Sequence, residues 1–557
     1  YPISPSSMKS FATKVIITLV KHTTQTRLGE EVIKKSLKTM DSVKMSLVLT
    51  IDVGSTNMKG LVINNDGKVV ERRVRELTLH LENRFAGHEP KELLECFTLM
   101  LDYFGKKYGR SIEAIAVTTY NHSVLLADKD GTPLTRVITH HDTRAAEVEK
   151  ELLEKTDPYE LYEETGAPPI FVFMPYKLYW FMKKEPSVFK EARYLLFCKD
   201  YLLWKTGLTS EPYIDLATAS GGGVINLRKL KYSEKVLNLL SIDENRLPRL
   251  CEGGKIFDTI PPKACEEYGF NPGAKIVFAA FDGAAQNFGL GLTEDGTVLN
   301  IGSTGVIRKL SRKVVLDKSL EMRFFTYYAA NGLYVLGGAS NSGGDCLRWF
   351  RDNFGQMEAL IGSAIGKDPY SILDLEAEKA PPGSEGLIFL PFLTGERFPY
   401  RDPNLTGTFL GISRKCGRAH FIRSIMEGVG YVIRAIAEAL YENSISLGEV
   451  YLVGGGSKSR LWAQILSDIL EIEINVVEMG EDATNHGAAA LAFNALGLSS
   501  IDEFSNKCVN VREKVVPIEK NRMVYEENYA TFVELVKLLR SVGRKGLRRT
   551  TDKTYIV

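Results

Sequence analysis

The chain has no apolar run long enough to cross a bilayer as a helix; its longest hydrophobic stretches are strand-sized. It also lacks an excess of charge of one sign. The formal net charge is +1, so no global field draws it to nucleic acid or to an anionic membrane. Its seven cysteines (Cys96, Cys198, Cys251, Cys265, Cys346, Cys416 and Cys508) are scattered, odd in number and without C-x-x-C spacing. That argues against a disulfide frame or a zinc site and for reduced thiols in a cytoplasm. The eight histidines form no H-E-x-x-H motif. His140 and His141, read as neighbours on a strand, face opposite sides and are poorly placed to share a metal. What is present is the composition of a soluble globular enzyme, 44% hydrophobic and 25% charged. At 557 residues the chain exceeds what one core usually supports, so two domains are expected.

Residues 1–44 are basic and lack both the apolar region and the cleavage site of a signal peptide. They read as an over-called start or an added extension, with a poorly ordered or peripheral arm as the alternative. From Met45 the pattern is α/β. Short Val- and Ile-rich strands are expected over 46–53, 59–63, 68–77 and 112–119, with an amphipathic helix over 91–108. Further helices are expected over 145–155, 174–184, 192–206, 420–442 and 460–470. The 420–442 segment sets Phe421, Ile425, Val429, Val432 and Ile436 on one face. Residues 215–226 read as a Gly-rich turn and strand, and the tail after Val542 as a solvated basic end.

Two stretches repeat one device. Gly54, Ser55 and Thr56 follow the first strand, and Gly302, Ser303, Thr304 and Gly305 follow a strand over 297–301; each turn leads into another strand. Successive N–H groups in such a turn can hold a phosphate, and glycine permits close approach to a ligand. Either turn alone is an ordinary hairpin; two of them suggest an internal duplication. Asp282, at the end of an apolar strand, serves equally well as a helix N-cap or as a general base. Asp142 and Arg144 project to one side at a strand end, able to hold vicinal hydroxyls or simply to pair with each other, and His122 can reach the same place. Gly454, Gly455, Gly456 and Ser457 stand between a strand and a helix, a junction across which a nucleotide can lie.

Taken together these pieces resemble the FGGY family of carbohydrate kinases. Gly407, Gly411 and Ile412, with the run from His420 to Glu427, satisfy the family's second sequence pattern. The first is met loosely around Lys177 to Trp180, where Met174 replaces the usual Pro, Ser or Thr. The resemblance covers about residues 47–498. It implies an α/β fold of two actin-like, ribonuclease H-like domains with an interdomain cleft. An N-terminal domain over 45–297 would carry the sugar site, the first phosphate motif and the catalytic Asp. A C-terminal domain over 298–557 would bind nucleotide and end in a helix and tail.

The resemblance further implies ATP and Mg2+ as cofactors and a sugar or sugar acid as acceptor. Asp282 would be the base. Asp52, with Asp282, would place the metal, and Gly54 to Thr56 and Gly302 to Gly305 would hold phosphates. Gly454 to Ser457, with Gly337, Gly338 and Asn341, would hold adenosine, and His122, Asp142 and Arg144 would contact sugar. The segments around Asp282-Gly283, Ile301 to Arg308, Gly344 to Trp349 and Gly395 to Arg397 look most like gluconokinases. His140, however, replaces a Trp common in gluconokinases and xylulokinases, so ribulose and xylulose stay open as substrates. A homodimer is left open, and a non-catalytic actin-like ATP-binding protein is the rival class.

Overall fold

The strand Leu47–Val53 is buried along its whole length. Burial on both faces is why it reads as a near-continuous apolar run rather than an alternation. In the computed structural model, which describes residues 46–292, 296–478 and 482–543, it lies inside a six-stranded sheet. The sheet runs Ile256–Thr259, Lys275–Phe281, Ile112–Thr119, Leu47–Val53, Asn57–Asn64, Val69–Glu76. The last three form an antiparallel meander; Ile112–Thr119 and Lys275–Phe281 continue it in parallel.

A seven-stranded sheet repeats the plan among the described residues. Gly296–Ile301, Gly305–Ser311 and Leu333–Ser340 form its meander, and Glu449–Val453 and Ile474–Val477 extend it in parallel. In each sheet a Gly-Ser-Thr turn joins the first strand to the second. The duplication suggested by two short turns is therefore a duplication of topology. The expected boundary at 297/298 falls inside the strand Gly296–Ile301.

The halves are interleaved. Helix Ala483–Ala495 lies in the chain between two strands of the second sheet, Ile474–Val477 and Val511–Val515, yet it packs on Leu47–Val53, Ile112–Thr119 and Lys275–Phe281 of the first and on helix Asp282–Gly289. Its small residues make this possible. A Cβ on Gly487 would lie 1.7 Å from the Ala285 carbonyl oxygen, and one on Gly289 would lie 2.0 Å from that of Ala483.

Several expected elements differ. Residues 192–206 form a strand, Tyr194–Leu196, then a helix, Cys198–Lys205; the strand pairs with Leu125–Ala127, and a short apolar run alone does not distinguish the two. Residues 215–226 end in the expected glycine turn and a short strand, Ile225–Asn226, but open with a helix, Leu216–Gly221, because the Asp215 side chain caps it by accepting from Thr218 N. Helix Arg418–Glu442 is buried on more than one face: Gly428 and Gly430 let neighbours approach, and Arg423 is neutralised by Glu427 at 2.9 Å. His140 and His141 lie in a turn after the strand Val137–Ile138, not on it, and their ring centroids are 4.0 Å apart. The expectations for residues 1–44 and for the basic tail fall outside the described residues, Gly543 aside.

Gly487→Val should destabilise the protein by ~1–3 kcal/mol or more, the usual cost of overpacking. A thermal melt checks this; an unchanged midpoint would show that the helix crossing is not tight.

Candidate active site

The site begins at the ends of two strands of the first sheet. Asp52 is the penultimate residue of Leu47–Val53, and Asp282 directly follows Lys275–Phe281. Asp282 is the first residue of its helix rather than its cap, a position taken by Phe281, and its carboxylate accepts from Gly283 N at 2.7 Å. Its side chain is partly exposed, whereas Asp52 is 8% exposed. Burial first, and then the charge of Asp282, push the Asp52 pKa up to about 7 against the pull of Lys59. Burial also raises Asp282, opposed by Arg308, the Gly283 N–H and Lys199. Arg308 comes from the second sheet and donates to the side-chain oxygen of Gln286. A cation of one sheet thus faces the acid of the other.

One oxygen of Asp52, Oδ1, is buried without a hydrogen-bond partner. An orphaned carboxylate oxygen beside a second carboxylate is the donor chemistry a hard divalent cation takes up. Among the described residues no cluster of three or more His, Cys, Asp or Glu side chains could hold a metal by itself. Such an ion would therefore lean on phosphate and water, as Mg2+ usually does.

A cleft of about 370 Å³ lies in the second half. Gly302, Ser303, Gly455 and Gly456 line it, together with Tyr370, Arg348 and Trp462. Two helix starts carry much of the remaining wall. Gly344 N donates to Gly302 O at 2.7 Å and Asp345 N to Ser303 O at 3.2 Å, so the helix Gly344–Phe354 ties back the carbonyls of the turn. Ser459 caps the helix Arg460–Leu470 by accepting from Trp462 N at 3.0 Å.

The glycine that opens each turn does not offer its amide outward. Gly54 N donates to Asn57 O at 2.9 Å and Gly302 N to Thr304 O at 3.0 Å. Ser55, Thr56, Ser303 and Thr304 keep their amides outside those two bonds. Gly305 is a packing residue, since a Cβ there would lie 2.7 Å from Ser342 O.

Other residues expected at the nucleotide make bonds and packing contacts of their own. Gly338 lies within the strand Leu333–Ser340, opposite Ile307, with Ile436 and Phe398 against its Cα. Asn341 N donates to Glu396 at 2.7 Å, and Asn341 Oδ1 accepts from Arg397 Nε at 2.6 Å. Gly454 has φ +83°, and the Ser457 hydroxyl closes on Gly454 O at 2.7 Å. None of these four residues, nor the Gly54–Thr56 turn, lines the cleft.

The expected sugar contacts cluster in the first half. Asp142 accepts from Ala86 N at 3.1 Å, Arg144 N at 3.0 Å and Arg144 Nε at 2.9 Å; the pair is thus a local ion bridge, with the guanidinium stacked on Trp180. Lys177 is 2% exposed and spans from His122 O (2.6 Å) to Thr139 O (2.8 Å). Burial, opposed by Asp142, lowers its pKa to about 7. His122 has φ +63° and a buried Nδ1 without a partner. Burial, then Lys177 and Arg397, hold its pKa well below the usual value, so the ring is neutral. Burial also depresses His140 and His141, the latter to about 4, with Arg397 acting on both. The nearness of Arg397 to these imidazoles is not legible in the sequence beyond the Gly395-Glu396-Arg397 motif.

Twin sheets of one topology, with an acid pair at the strand ends of the first and a cleft beside the glycine turn of the second, are the architecture of a two-domain actin-like protein, and the family match makes it a phosphotransferase. Models of the FGGY family of carbohydrate kinases match the chain, the N-terminal domain over 47–289 and the C-terminal domain over 303–496. A gluconokinase of Bacillus subtilis (strain 168) is 30% identical over 500 residues, 89% of this chain and 96% of that protein. A ligand-bound xylulose kinase from Lactobacillus acidophilus superposes with a TM-score of 0.82 at 27% identity, covering 90% of this chain and 99% of the other. A gluconate kinase from the same organism gives 0.81 at 27%, covering 90% and 100%. The chain belongs to the FGGY family of carbohydrate kinases and is a sugar kinase. Among the described residues no helix is long and apolar enough to cross a membrane.

Asn341→Ala releases Arg397 without touching the nucleotide cleft. Losing a hydrogen bond to a charged group costs about 1.5–3 kcal/mol. The expected result is a sugar KM raised roughly 10-fold or more with ATP KM unchanged. Steady-state kinetics decides; the reverse ordering would return Asn341 to the nucleotide site.

Proposed function

We propose that this kinase transfers the γ-phosphoryl group of ATP to a hydroxyl of an open-chain sugar acid of the gluconate type, with Asp282 as general base. The observation that carries this reading is the Asp282 carboxylate: partly exposed at a strand end, faced by Arg308 and coupled to Asp52. The gluconokinase and gluconate kinase relatives support a sugar acid. So does the positive charge of Arg397 beside neutral imidazoles, which suits a carboxylate among hydroxyls. The likeness to a xylulose kinase structure supports a ketopentose as the second reading.

In this reading the adenosine lies in the 370 Å³ cleft, on Gly455 and Gly456 and beside Tyr370 and Trp462. The amides of Ser303 and Thr304, and those of Ser55 and Thr56, face the phosphates. Asp52, with Asp282, holds Mg2+, which when bound supplies positive charge to the phosphate oxygens. Transfer passes through a loose transition state with charge spread over oxygens, so positioning and electrostatics dominate. Asp282 takes the proton of the attacking hydroxyl; its raised pKa makes it a better base than an exposed carboxylate. The His122 ring, kept neutral, can accept from or donate to a sugar hydroxyl.

Asp282→Asn should lower kcat by ~10²–10⁴-fold, the usual contribution of a positioned base, with both KM values little changed. A coupled assay over gluconate, xylulose and ribulose checks acceptor and base together. Near-wild-type turnover in the variant would remove the base assignment, and a ketopentose with the highest kcat/KM would select the second reading.

A further inference from the structure

A buried network lies directly behind Asp282. Lys199, in the helix Cys198–Lys205, is fully buried, as are Asp215 and Thr218. Its ammonium donates to Asp215 Oδ2 at 2.7 Å, to Thr218 Oγ1 at 3.0 Å and to the backbone carbonyl of Ala280. Three acceptors meet the three donors of a lysine, and the carboxylate of Asp215 balances its charge.

Ala280 is the residue at which the strand Lys275–Phe281 departs from regular geometry. Its φ is +60°, in the left-handed region that L-residues other than Gly, Asn and Asp rarely enter. The pairing with Ile112–Thr119 shifts register between Phe278 and Phe281, so Ala279 and Ala280 form a bulge. A bulge re-aims the side chains that follow it, and here the next but one is Asp282. Strained backbone persists only where its surroundings over-determine it. At Ala280 the surroundings include the Lys199 ammonium on the carbonyl.

We infer that Lys199, held by Asp215 and Thr218, is a positioning residue: it locks the bulge at Ala280 and so sets the direction of the Asp282 carboxylate. The inference rests on the reading of Asp282 as the base. It also accounts for a buried ion pair that the phosphate, nucleotide and sugar contacts leave unused. Replacing a buried pair by neutral groups avoids an uncompensated charge and is often tolerated.

The test is the double variant Lys199→Met/Asp215→Asn, in which Asn can still cap Thr218 N. A misplacement of about 1 Å costs on the order of 100-fold, so kcat should fall roughly 10- to 100-fold. KM for ATP and for sugar should stay within about threefold of wild type, because neither binding region is touched. A role in stability alone would lower the melting temperature and leave kcat of the folded fraction unchanged; kcat within twofold of wild type overturns the inference. If the double variant does not fold, Thr218→Val keeps the ion pair and removes one acceptor. It should lower kcat at constant KM, and Thr218→Ser should recover it; equal kcat for Val and Ser overturns the inference. Asp282→Asn is measured alongside. An inactive Asp282→Asn with a fully active double variant sinks the positioning role alone, whereas an active Asp282→Asn sinks the base reading on which it rests.

Discussion

Two carboxylates in a poorly solvated place repel one another, and much of the centre of this molecule manages that repulsion. Asp52 and Asp282 stand at the ends of two strands of one sheet, separated by the strand Ile112–Thr119. Burial and mutual repulsion raise Asp52, while Lys59 on one side and Arg308 and Lys199 on the other hold the pair in check. A charge that close packing keeps from water needs a partner, and Oδ1 of Asp52 has none. That oxygen and the neighbouring carboxylate of Asp282 are the donor chemistry on which the proposed cation site rests.

The two halves contribute unequally. Their sheets share a topology and a Gly-Ser-Thr turn, and in both turns the opening glycine spends its amide on an internal bond. The second turn is built into a cleft, where the helix starts at Gly344 and Arg460 close around it. The first half instead carries the acids and a set of imidazoles held neutral by burial and by nearby Lys177 and Arg397. Duplication supplied one scaffold twice, and the residues around each turn made the copies different. Helix Ala483–Ala495, packed through Gly487 on the opposite half, ties them together.

Much of this was legible in the chain. The helices Met174–Lys184 and Arg460–Leu470 and the strand Ile112–Thr119 were read to their ends, because Pro, Ser and Gly punctuate them. The paired turns and Asp282 stood out because small residues interrupt apolar runs. Tyr194–Leu196 was not legible as a strand, since its partner Leu125–Ala127 is remote and its residues suit a helix equally. Gly338 and Asn341 are not among the residues lining the cleft; a glycine that packs and a glycine that admits a ligand look alike in one dimension. Tyr370, Trp462 and Arg348 reach the cleft from separate helices, and no local pattern announces that meeting. Lys199 was hidden for a different reason: a lysine in a helix is usually at the surface, and only the fold shows Asp215 and Ala280 around it.

The central claim is geometric: one triphosphate and one acceptor meet between Asp52, Asp282 and the second glycine turn. A crystal structure with a non-hydrolysable ATP analogue, Mg2+ and the preferred sugar tests it most directly. The expected result is adenine in the cleft beside Tyr370 and Trp462, the cation next to Oδ1 of Asp52, and a sugar hydroxyl in hydrogen-bond contact with Asp282. An acceptor hydroxyl bound away from Asp282, or a nucleotide seated outside that cleft, would contradict it.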